Sequence, residues 1–195
     1  MKKSMPWIRC AGFLVGLAVI LGICDFCFAP SGYVRFILHE VNRKDTQYDT
    51  IILGASHARS AINPEYLDEE LGTNTLNLAI PGETVKDAYY LLKDACESND
   101  VKTVIMDVDY QYWMDEQPQG YFTEPFICQN ITNLKVKTEY LLDNWDTIDL
   151  RNVLVRRLSW DCTWSSVKQN ISTKMTEAYR EYSIEAAGVD GKVEG

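Results

Sequence analysis

Ser56 stands in the stretch Gly54-Ala55-Ser56-His57, directly after the short apolar run Thr50-Ile51-Ile52-Leu53. A serine just past a buried strand, at the entry to a helical region, is well placed for nucleophilic chemistry. In open α/β sheets, ligands bind beyond the carboxyl ends of the strands. Gly54 permits a tight turn and small Ala55 a close approach. The Ser56 amide can donate to an oxyanion at the start of the following helix. A serine hydroxyl still needs a base and usually an orienting carboxylate. Two further strand ends carry relevant residue types: Gly82, with a bare N–H, after the second run, and Asp107 and Asp109 after the third. Each has a plainer reading beside the chemical one. Ser56 suits a turn or an N-cap, Gly82 a turn, His57 a pocket lining, and Asp107 and Asp109 a solvated strand end or helix cap.

The elements that must position these residues read as alternating strands and helices. Thr50–Leu53 is typical of a buried parallel strand. Asn63 and Pro64 read as N-cap and first helical residue of a helix that runs to about Leu71 and stops at Gly72. Thr75–Ile80 is a second strand, punctuated by Pro81-Gly82. A helix follows, with Val85, Ala88, Tyr89, Leu92, Ala95 and Cys96 at the spacing of one face. Val104-Ile105-Met106, within Lys102–Val108, is a third strand. Strand–helix–strand–helix–strand in this order implies an α/β fold with a parallel sheet and right-handed crossovers. Residues 110–130 are aromatic and loop-like, suited to lid packing or to stacking on sugar rings. Residues 134–145 and 147–158 read as helical, and from Ser159 on polar residues alternate with isolated aromatics.

The N-terminus has a different character. Cys10 to Cys24 is uncharged, and with Asp25 tolerated the apolar stretch continues to Ala29. About 20 residues, or about 30 Å of helix, suffice to cross a bilayer core. Lys2, Lys3 and Arg9 precede it, so the positive-inside rule places the N-terminus in the cytoplasm and everything after Pro30 outside. A cleaved signal peptide competes with this reading, although Cys27-Phe28-Ala29 is a mediocre cleavage site. A buried helix of a soluble protein is a further alternative. The expected organisation is a signal-anchor over 1–29, a juxtamembrane connector over 30–47 and an α/β domain over 48–195.

Charge and composition exclude several classes. Lys2, Lys3 and Arg9 against Asp25 leave +2 in the first 29 residues, so of the net −9 the remaining chain carries −11. Such a domain is no general nucleic-acid binder and has little attraction for anionic lipid. The two histidines, His39 and His57, rule out a His-rich metal site. Cys96, Cys128 and Cys162 are too few and too widely spaced for a disulfide framework, and Cys24-x-x-Cys27 lies in the apolar segment. Neither metal nor cofactor is expected.

The stretch from Asp49 to Trp113, with Gly54-Ala55-Ser56-His57, Asn77-Leu78-Ala79-Ile80-Pro81-Gly82 and Met106-Asp107-Val108-Asp109, resembles the first half of an SGNH/GDSL-type hydrolase domain. It is most similar to the membrane-anchored branch beside bacterial cell-surface polymer modification systems. The resemblance implies a flavodoxin-like parallel sheet flanked by helices, here partial. It implies that Ser56 is the nucleophile and that the Ser56 and Gly82 amides form the oxyanion hole, with His57, Asp107 and Asp109 as pocket residues. It implies a serine esterase or O-acyltransferase at the cell membrane. The partners would be an acylated surface polysaccharide or an acyl donor protein. The sequence departs from the family in two places. Met106-Asp107-Val108-Asp109 stands where Gly-x-Asn-Asp would be expected, and no histidine follows His57 to supply the late Asp-x-x-His base. His57 adjoins Ser56, and adjacent side chains leaving a turn diverge. The expectation is therefore a fragment lacking the Asp-x-x-His block, inactive alone, or a non-catalytic anchor or assembly partner.

Overall fold

The computed structural model describes residues 6–29, 33–108, 123–148 and 162–175. Asp109, the aromatic stretch 110–122 and all but the start of the helix expected at 147–158 lie outside them. The chain opens with helix α1 (Pro6–Phe28), which from Trp7 on is long and apolar enough to cross a membrane. From Trp7 to Ile20 its side chains face outward rather than into a core, with Phe13, Val15 and Ile20 all largely exposed. It is therefore not the buried helix of a soluble fold.

Three short strands form a parallel sheet in the order β2-β1-β3, with β1 (Thr50–Leu53) central, β2 (Thr75–Asn77) on one side and β3 (Thr103–Met106) on the other. Ile51 faces Leu76 and Val104 in register, and Leu53 faces Met106. All four residues of β1 are buried, which is why its sequence is a continuous apolar run rather than an alternating one. Pairing beside β1 continues past β2, because Leu78 N–H donates to the Ile52 carbonyl at 2.8 Å and Ile80 N–H to that of Gly54 at 3.1 Å.

Helices cover both faces. Between β1 and β2 lie α3 (Ser56–Ala61) and α4 (Pro64–Leu71), and between β2 and β3 lies α5 (Val85–Ser98). Ile51 and Leu53 point into the larger core, which Phe36, Ile37, Leu38 and Val41 fill from and just after α2 (Tyr33–Glu40), and Leu91 and Ala95 from α5. Ile52, between them, points the other way, onto Ala58 of α3 and Ala79. This alternation is the period-two geometry of a strand buried on both sides. Helices α6 (Thr123–Asn130) and α7 (Leu134–Asp143) complete the larger core with Ile127, Val136 and Tyr140. Helix α8 (Trp164–Met175) lies apart, against α1.

Several elements differ from the sequence expectation. Helix α4 begins at Pro64 with the Asn63 side chain accepting from the Glu65 amide at 2.9 Å, and ends at Gly72 in the left-handed region, as the sequence implies. Helix α5 buries Ala88 and Ala95 and packs Leu92 on the core, as its apolar spacing suggests, but the buried face is rotated away from the rest of that stripe. Val85, Tyr89 and Cys96 are exposed, whereas Asp87, Ala88, Tyr90, Leu91, Asp94 and Ala95 are buried. Two aspartates can sit on the inner face because both are held. Asp87 closes a capping box with Thr84 and accepts from the Tyr140 hydroxyl at 2.6 Å. Asp94 accepts from the Asn42 amide group at 2.8 Å and from the Asn133 N–H at 3.3 Å. Segment 30–47, read as a connector with room for a short helix, does carry one, α2, and that helix joins the core. Helices α6 and α8 fall where the sequence reads as loop or irregular chain. In α6, Pro125 sits in the first turn, where its missing N–H has no acceptor to lose.

Candidate functional site

The turn after β1 is built around Gly54. Its φ of 151° lies in a region side-chain-bearing residues rarely adopt, and a Cβ there would come within 2.6 Å of the Ala58 Cβ and 2.9 Å of the Asp107 Cβ. Strands β1 and β3 and helix α3 thus converge at one backbone position that admits no side chain. Ala55 occupies the N-cap of α3 and supplies no side-chain cap. Ser56 is therefore not an N-cap serine. It is the first helical residue, its side chain is exposed, and its hydroxyl makes no hydrogen bond among the described residues.

The second strand end is a turn whose form explains Gly82. Glu83 N–H donates to the Ile80 carbonyl at 2.9 Å, closing a four-residue turn with Pro81 second and Gly82 third. Gly82 has φ 79°, as a type II turn requires at that place. The turn reading of Gly82 is thus satisfied. Its own N–H belongs to the central peptide, which the turn's hydrogen bond does not use.

Glu83, which sequence reasoning did not single out, joins these two turns. It is 3% exposed, and its Oε1 accepts from the Gly54 N–H at 3.0 Å while its Oε2 accepts from the Ile80 N–H at 2.8 Å. A carboxylate accepting two backbone amides makes charge-assisted bonds about twice as strong as neutral ones. Glu83 therefore fixes the loop bearing Ser56 relative to the loop bearing Gly82. Asn77 holds the far end of α3, since its Nδ2 donates to the Ala58 and Ile62 carbonyls at 3.1 and 3.3 Å and its Oδ1 accepts from the Ala79 N–H at 3.0 Å. A fully buried asparagine inside an apolar run signals such partners, because buried polar groups are nearly always bonded.

Asp107 donates its N–H to the Leu53 carbonyl at 2.9 Å and so stands beside Gly54 at the end of the sheet. Its side chain is half-buried. His57 is exposed on α3, next to Ser56. His39 is carried by α2, which packs on the larger-core face, whereas α3 packs on the smaller. The structure thus brings Ser56, His57, Gly82 and Asp107 to one end of the sheet. Asp109 lies outside the described residues. Chemically, the arrangement offers an exposed hydroxyl, a turn amide and a carboxylate, on loops tied together by a buried glutamate. Comparison of the chain with family models, with curated proteins and with solved structures finds no match.

Proposed function

We propose that this chain is a membrane-anchored, extracytoplasmic serine esterase or O-acyltransferase of SGNH type acting on a cell-surface polysaccharide. The observation that carries the reading is the placement of Ser56: exposed, first in α3, immediately past the central strand, with the Gly82 turn on the adjoining strand end. In the proposed reaction Ser56 Oγ attacks the ester carbonyl of an acyl donor. The Oγ proton passes to a base that these 195 residues do not supply, and the Ser56 and Gly82 amides hold the oxyanion. Collapse of the tetrahedral intermediate expels the alcohol and leaves an acyl-serine. Water or a sugar hydroxyl then attacks that ester and releases Ser56. Helix α1 supports the anchor, and Lys2, Lys3 and Arg9 support a cytoplasmic N-terminus.

A second reading, a non-catalytic anchor or assembly partner, is favoured by one observation: the Ser56 hydroxyl has no hydrogen-bonded base among the described residues. One experiment separates the two. Full-length protein in membranes is treated with a serine-directed fluorophosphonate. The enzyme reading expects labelling that is lost in Ser56→Ala. Labelling that persists in that variant, or is absent from the wild type, favours the binding reading.

A further inference from the structure

Helix α8 packs against α1, and its polar contacts reach the last turn of that helix. On α1, Leu21, Cys24, Asp25, Cys27 and Phe28 are half-buried, whereas Gly22 and Ile23, on the other side, are exposed. The Lys174 ammonium donates to the Phe26 carbonyl at 2.8 Å and to the Ala29 carbonyl at 2.6 Å, and stands 5.4 Å from the centre of the Phe26 ring. Asn170 Nδ2 donates to the Cys27 carbonyl at 3.4 Å. Phe26 and Cys27 are in the last turn of α1, where carbonyls have no intrahelical donor, and a cation there also favours the helix dipole. Val167 and Asn170 are buried, while Trp164, Ser165, Lys168, Gln169, Ser172 and Met175 face outward. Helix α8 carries two lysines and no acid, in a region whose net charge is −11 once the first 29 residues are set aside.

We infer that α8 is an interfacial helix whose outward side, centred on Lys168, rests among phospholipid headgroups beside the membrane span. This rests on the reading of α1 as an anchor. Ile23, at 59% exposure, leaves the side of α1 away from α8 apolar and bare, so in an anchored chain lipid covers it there. The 22 residues Trp7–Phe28, charged only at Arg9 near one end and Asp25 near the other, extend about 33 Å against a hydrocarbon core of about 30 Å, which puts the last turn at the headgroup boundary. Helix α8 bonds to that same turn and shares its level. Its composition fits that layer, with basic and hydroxyl side chains outward and a tryptophan at one end.

The test places the photo-reactive residue p-benzoylphenylalanine at Lys168 in the full chain, reconstituted in vesicles of phosphatidylethanolamine and phosphatidylglycerol. Leu14, on the exposed face of α1, serves as the positive position. Glu69, exposed on the acidic helix α4, serves as the negative one. The expected result is lipid capture at positions 14 and 168 and none at 69. Capture at 14 without capture at 168, repeated with the probe at the neighbouring exposed Gln169, overturns the interfacial role and leaves the anchor standing. Absence of capture at 14 overturns the anchor, and the inference with it.

Discussion

Gly54 and Glu83 decide whether Ser56 has a fixed address. At Gly54, alanine meets two obstacles together: a strained φ and a Cβ against both Ala58 and Asp107. Gly54→Ala should cost about 2–4 kcal/mol, the sum of backbone strain and overpacking. Chemical unfolding of the full chain in micelles, followed by circular dichroism, checks this. An unchanged midpoint would mean that β1, β3 and α3 do not meet so closely in solution. Glu83 acts differently, because Gln retains one acceptor oxygen but turns an NH2 toward the second amide. Because the Ile80 N–H keeps its bond to the Gly54 carbonyl, Glu83→Gln should cost about 1–2 kcal/mol, the loss of one charge-assisted bond and the charge on the other. Hydrogen exchange by mass spectrometry should report faster exchange in peptides covering Gly54 and Ile80, and little change in α7. If both loops exchange as in the wild type, Glu83 does not couple them.

At the scale of elements, α5 shows where hydropathy patterns mislead. Its inner face carries Asp87 and Asp94, both held by partners on other elements, and burial pushes both carboxyls above the ordinary carboxylate range. The Tyr140 and Thr84 bonds to Asp87 oppose that rise without cancelling it. The sign follows from linkage. A raised folded-state pKa means the folded chain binds the proton more readily than the unfolded one, so this contribution to stability grows as pH falls. Asp87→Asn lacks the titration; its oxygen can keep the Thr84 N–H while its NH2 donates to the Tyr140 hydroxyl, so at neutral pH it should cost only about 0.5–1 kcal/mol, a weakened cap. The gap between wild type and variant should widen as pH drops from the raised pKa toward the ordinary value of 3.8. Melting curves across that range check it, and a gap that narrows on acidification would overturn the assignment. Strands β1 and β3 and helix α4 were legible because their signals are local: an apolar run, a capping asparagine, a C-terminal glycine. The rotation of the buried face of α5 was not, since it depends on Asn42, Asn133 and Tyr140, distant in sequence. The candidate site divides likewise. Ser56, Gly82 and Asp107 follow strand ends and are visible in the chain, whereas Glu83 acquires its role only when two strands lie side by side. Helix α8 has no strong apolar stripe, because its partner is the end of another helix rather than a core.

For the molecule as a whole, the sheet is unevenly covered, and that asymmetry bears on what stands beside Asp107. Every residue of β1 is buried, yet in β3 Thr103, Val104 and Met106 are exposed and Ile105 is half-buried. Parallel sheets are ordinarily covered on both faces, and an apolar edge strand invites pairing. Among the described residues, β3 pairs only with β1. A pair of substitutions converts this into a measurement. Ile51→Ala, at a fully buried central position, should cost about 2–4 kcal/mol. Val104→Ala, at 43% exposure, should cost less than about 1 kcal/mol. Val104→Lys then asks whether the strand stays open in the assembled protein. Near-neutrality in dilute micelles and at high protein concentration alike would show β3 facing solvent, with the Asp107 end of the sheet open to a large polymer. A cost of more than about 1 kcal/mol would instead require a cover over Val104, because exposed substitutions away from such contacts rarely cost so much. If that cost appears only at high protein concentration, the cover is another copy of the chain, since mass action stabilises only what binds the folded state. The Ser56 end would then be approached across an assembled edge rather than a bare one, and fluorophosphonate labelling should slow over the same concentration range.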